Sequence, residues 1–171
     1  MIQFCIMGGY EGLIRPERKL YFTFMGGADL CRPTVARQIL AQRQNAAKGL
    51  PKAPWQYFIT IMGGVDIQSP TLAEEFIDLR EMIQSRALTM ADWDQAMADL
   101  TSTDVSVGSF TLMGGFSENS LPSEDQEIEG LAVQRHMGNI SDRATEVLQY
   151  GIGQRNSERR ATLRRAVLAE A

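Results

Sequence analysis

The residues able to do chemistry are few and scattered. His136 is the chain's one histidine, the side chain whose charge changes nearest neutral pH. Nothing beside it in sequence would orient it as a general acid or base, so a surface or interhelical place is expected. The two cysteines are Cys5 and Cys31. Cys5 sits in an apolar run and reads as a small buried residue. Cys31 precedes Arg32, a cation that can depress a thiol pKa, but a structural role is the plainer reading. Asp29 and Asp66 each stand two places after a glycine pair, with Glu11 read as one place out. Aligned acids can hold a cation or move a proton; turn or cap duty is the expectation. The glycine pairs, Gly8-Gly9, Gly26-Gly27, Gly63-Gly64 and Gly114-Gly115, can point backbone N–H groups at a phosphate, above all where Arg32-Pro33 opens a helix. No Gly-x-Gly-x-x-Gly and no Lys-Ser/Thr accompanies them. No cysteine–histidine metal spacing is present. No catalytic residue, cofactor or metal is therefore expected, and ligand or phosphate binding at the corners with Asp29 and Asp66 is the enzyme-like alternative.

The elements that would position these residues are more legible. Four apolar, β-prone runs end in Met-Gly-Gly, at Met7, Met25, Met62 and Met113. In register on the methionine, Ile6, Phe24, Ile61 and Leu112 come one place before it, and Phe4, Phe22, Ile59 and Phe110 three before. Between them stand Cys5, Thr23, Thr60 and Thr111. Alternate residues of a strand face opposite sides. The two large apolar columns are thus expected to face one core, and the threonine column to share the other face with the methionines. Paired glycines at one point of every strand predict a common bend. The methionines are 18, 37 and 51 residues apart, about one solenoid coil and then two longer intervals. The fold expected is α+β: a parallel β-solenoid of four Met-Gly-Gly coils with helices inserted at about 33–47 and 70–100. Residues 1–120 form this domain, and 121–171 a helical tail.

The helical stretches carry start signals. Pro33 opens PTVARQILAQRQNAA, with Val35, Ile39 and Leu40 as its apolar stripe. Ser69-Pro70 reads as N-cap and first helical position before Leu72, Phe76, Leu79 and Ile83. Thr89 with Asp92 predicts a second helix bearing Trp93, Met97 and Leu100. Ser123 with Gln126 marks a further start; beyond it the helical pattern is broken by Gly130, Gly138, Gly151 and Gly153. The last stretch is basic through Arg155, Arg159, Arg160, Arg164 and Arg165. A solvated face suited to the negative end of a helix explains it; docking of Arg159, Arg160, Arg164 and Arg165 on an acidic protein partner is the sharper reading. No aromatic residues interleave these arginines as base-stacking platforms would, so nucleic acid is not expected.

Composition sets the outer bounds. The 171 residues are 44% hydrophobic and 22% charged, with net charge −4. These are values of a globular protein without a global basic field. No run approaches the roughly 20 apolar residues that cross a bilayer. The opening MIQFCIM reads as a strand and not as an export signal, so the expected location is cytoplasmic.

FMGGADLCRP, IMGGVDIQSP and FTLMGGFSE, and more loosely IMGGYEGLIRP, resemble the strand ends of the toastrack-like carboxyl-terminal domain of bacterial cell-wall-active-antibiotic-response proteins. The likeness covers residues 2–33, 56–70 and 106–118. It implies a non-catalytic scaffold or interaction domain. Unlike that family, this chain has helices between its strands. The function expected is a structural or protein-interaction role, through strand edges and the helical tail, with self-association or a protein partner. An accessory subunit of a larger particle is a further alternative.

Overall fold

The structure, a computed structural model, describes residues 2–8, 10–13, 19–49, 55–98, 106–114, 116–154 and 156–170. Gly9 and Gly115 lie outside them. Each apolar run and the short run after its glycine pair are strands. They are β1 (Ile2–Met7), β2 (Tyr10–Leu13), β3 (Lys19–Met25), β4 (Ala28–Cys31), β5 (Trp55–Met62), β6 (Val65–Gln68), β7 (Ser106–Met113) and β8 (Phe116–Ser120). The helices are α1 (Val35–Ala47), α2 (Leu72–Gln84), α3 (Met90–Ala98), α4 (Glu124–His136), α5 (Asp142–Gln149) and α6 (Asn156–Glu170).

The strands before the glycines form one four-stranded sheet, ordered β1-β3-β5-β7. Those after them form a second, ordered β2-β4-β6-β8. All pairings are parallel. Met7 pairs with Met25, Met25 with Met62, and Met62 with Met113. The solenoid expectation is corrected: among the described residues the architecture is α+β, two small parallel sheets with six helices, and no stack of four coils. The physical reason lies in the returns. A coil needs a short, uniform path back to the next rung. Here β4 reaches β5 through α1, and β6 reaches β7 through α2 and α3, the crossover connections that parallel strands ordinarily need.

By contact density the chain divides into two units. The first comprises Met1–Pro33, Arg37–Ser69 and Ala91–Ser120, and holds both sheets. Its described core includes Leu30, Ile39, Ile67 and Trp93; Leu30 and Ile67 are partners across β4 and β6. An ion pair joins Arg43 of α1 to Asp92 of α3. The second comprises Thr34–Ala36, Pro70–Met90 and Leu121–Ala171. Segment Pro70–Met90, read from sequence as an insertion in the strand domain, thus groups with the carboxyl-terminal helices. There α2 packs on α4 and α6, and α5 on α4 and α6. Its described core includes Leu72, Phe76, Leu79, Leu88, Leu131, Ile140, Leu148, Leu163 and Val167.

The cap of α2 differs from expectation. Thr71, not Ser69, is the N-cap: its hydroxyl accepts from Glu74 N–H, and the Glu74 carboxylate accepts from Thr71 N–H at 2.9 Å. Thr-x-x-Glu is the stronger box and leaves Pro70 just outside the helix. Ser123 caps α4, its hydroxyl accepting from Gln126 N–H at 3.2 Å. Helix α4 runs unbroken through Gly130.

Candidate interaction surface

The bends are built from backbone. The first glycine of three of the pairs donates into the ladder. Gly8 N–H reaches the Met25 carbonyl at 2.9 Å, Gly26 the Met62 carbonyl at 2.8 Å, and Gly63 the Met113 carbonyl at 3.0 Å. Gly63 has φ +151°, and a Cβ there would fall on the Gly26 carbonyl. A Cβ at Gly114 would fall on the Gly63 carbonyl, and one at Gly27 would lie 2.9 Å from the Gly64 carbonyl. The glycines are therefore required by strand-to-strand approach. The amides of Gly8, Gly26 and Gly63 point along the sheet, so a phosphate cradle cannot use them.

At the bend end of the first sheet the large apolar side chains are uncovered. Ile6, Met7, Phe24, Met25, Met62, Leu112 and Met113 are all exposed, and Ile61 is half-buried. This corrects the expectation that the column of Ile6, Phe24, Ile61 and Leu112 faces a core. Alternation showed that these residues share a side; it could not show whether anything covers that side. The burial of Phe4, Phe22, Ile59 and Phe110 lies outside the described residues. Met7 is 77% exposed and Met113 64%, against 45% for Met25 and 44% for Met62. The methionines of the outer strands are the barest.

The acidic column is longer than the sequence suggested. Glu11 pairs with Asp29, and Asp29 with Asp66, so Glu11 stands in the column and not one place out. Asp29 is exposed and Asp66 half-buried; Asp66 Oδ2 accepts from Gln68 Nε2 at 3.2 Å. Among the described residues no group of three or more acidic, histidine or cysteine side chains is arranged to hold a metal ion. His136 is exposed at the end of α4. Cys31 is a half-buried free thiol. The side chain of Cys5 lies outside the described residues.

The four arginines of the tail do not share one face. Arg159 is buried, its Nη2 2.7 Å from Oε1 of Glu127, which is 1% exposed. The two meet as an ion pair without an aligned hydrogen bond. Arg164 and Arg165 are exposed and Arg160 half-buried; Arg165 donates to Thr162 Oγ1 at 3.3 Å. Any acidic partner would meet Arg164 and Arg165, and not Arg159.

Sequence reasoning missed the buried carboxylates of the second unit. Glu127 Oε2 accepts from Leu72 N–H at 2.8 Å, closing the amino end of α2. Glu75 accepts from Val35 N–H at 3.0 Å, closing the amino end of α1, while Thr34 Oγ1 donates to Asp78 at 2.8 Å. Burial pushes the Glu75 carboxyl up to about 8, against the Val35 amide and Arg159, which favour its charge. Glu170 is held below the ordinary carboxylate range: burial raises it, but hydrogen bonds from Arg80 and Ser141 outweigh this. The only trace of Glu75 in the sequence is its place beside the apolar stripe of α2. Glu127 left none, because it follows a run of polar residues at a helix start.

Among the described residues no helix is long and apolar enough to cross a membrane. No protein-family model matches the chain, and no curated protein or solved structure matches it.

Proposed function

We propose that this chain is a protein-interaction module, cytoplasmic and non-catalytic, that works through the ends of its parallel sheets. The observation that carries the reading is the uncovered apolar side chains at the bends: Met7, Met25, Met62 and Met113 aligned along one side of the sheet, and Ile6, Phe24 and Leu112 along the other. Rows of exposed large apolar side chains of this kind mark a contact site. Strands at a sheet edge offer backbone pairing to an added strand, and β1 and β7 stand at the two ends of the first sheet. The resemblance of the Met-Gly-Gly strands to the toastrack-like domain points the same way, toward scaffolding and not chemistry. The exposed Arg164 and Arg165 supply a second, electrostatic contact for an acidic protein surface.

The test is a comparison of the wild type with Met7→Lys, Met113→Lys and Arg164→Glu/Arg165→Glu in cross-linking at native expression level. Loss of the cross-linked species in the two methionine variants, with the fold preserved by circular dichroism, is the expected result. Cross-links unchanged in both would refute the edge reading.

A further inference from the structure

We propose that the strand added at these edges comes from a second copy of the chain, joined head to tail so that β1 of one molecule pairs in parallel with β7 of the next. This rests on the edge reading above and names its partner.

Parallel order makes the two ends of each sheet unlike: β1 and β2 close one end, β7 and β8 the other. Both ends nevertheless carry the same motif, Ile6-Met7-Gly8 and Leu112-Met113-Gly114. The interior displays what happens when that motif meets itself. Methionine aligns with methionine, and Gly27, Gly63 and Gly114 let the neighbouring bend approach to a distance that no Cβ would allow. This self-pairing already occurs three times within one molecule: Met7 with Met25, Met25 with Met62, and Met62 with Met113.

The exposures point to the same geometry. Met7 and Met113 are 77% and 64% exposed where Met25 and Met62 are 45% and 44%. The inner pair has a strand on each side, and the excess at the ends is surface that one more strand would cover. Setting β7 of a second molecule beside β1 continues the methionine and glycine columns in register, and β8 beside β2 continues the second sheet. A second copy brings to either edge a methionine and glycine column that continues the one already there, which an unrelated apolar strand does not. Because the two joined edges differ, each addition presents a new edge. The product is an open chain of molecules, or a ring where the rotation closes, and not a two-fold dimer.

Sedimentation velocity decides this with Met7→Lys, Met113→Lys and their equimolar mixture. A lysine on an edge opposes strand addition. The wild type should grow with concentration, and each variant alone should associate at least about tenfold more weakly. The mixture should give a one-to-one dimer and nothing larger, since the first variant keeps a native β7 and the second a native β1. A mixture no heavier than its components overturns the proposal, as does a Met113→Lys variant that dimerises by itself, which would place β1 against β1. If either lysine variant loses its circular dichroism signature, Met7→Gln and Met113→Gln enter the same experiment with the same two outcomes. A wild type that stays monomeric at high micromolar concentration also overturns self-pairing. It leaves the wider edge reading intact, which fails separately if cross-links to other proteins survive in the edge variants.

Discussion

At the scale of single residues, two buried carboxylates do unlike things. Glu75 stays neutral in the folded chain up to about pH 8, whereas unfolded it ionises in the ordinary glutamate range near 4.5. Between those values the unfolded chain binds fewer protons than the folded one, so stability falls as pH rises through that window and levels off above it. Glu75→Gln keeps the shape and much of the bond to Val35 N–H. Urea unfolding should show that it removes this slope and stabilises the chain in mildly alkaline solution by up to a few kcal/mol relative to wild type. Glu127 is different, being paired with Arg159 and bonded to Leu72 N–H. Glu127→Ala leaves a buried guanidinium without its counter-ion and an uncapped helix, a loss of about 3–5 kcal/mol in the same assay. Gly63→Ala forces a methyl group onto the Gly26 carbonyl at a left-handed φ. It should cost on the order of 2 kcal/mol or more and lower the thermal midpoint.

At the scale of elements, what could be read in advance was whatever is local. Ser123 and Gln126 announced α4 because both partners of that capping box lie within one turn. The strands were legible because each apolar run and its glycine pair are contiguous. The start of α2 was misplaced by two residues because Ser69-Pro70 and Thr71-x-x-Glu74 both read as caps, and only the second satisfies donors at both ends of its box. Thr71→Ala should therefore lower stability by about 1 kcal/mol in chemical denaturation, while Ser69→Ala should be nearly silent. Glu75 and Glu127 escaped notice because their partners, Val35 and Leu72, are 40 and 55 residues away. No local pattern encodes such a tertiary cap. The solenoid was inferred from the bends and from the first interval of 18 residues; glycines mark where a chain turns and carry no information about what brings it back.

At the scale of the whole molecule, the apolar residues next to the bends explain why burial could not be read from alternation. Ile6, Phe24 and Leu112 have the pattern of core residues and lie open. Surface of that kind at both ends of an in-register parallel sheet is what a chain that adds strands from outside would keep. Amide hydrogen exchange at low and high protein concentration tests this most directly. Protection should rise with concentration at residues 2–7 of β1 and 106–113 of β7, while β3 and β5 between them stay as they were. Exchange at β1 and β7 that does not change with concentration, or protection gained only in α4 to α6, would contradict it.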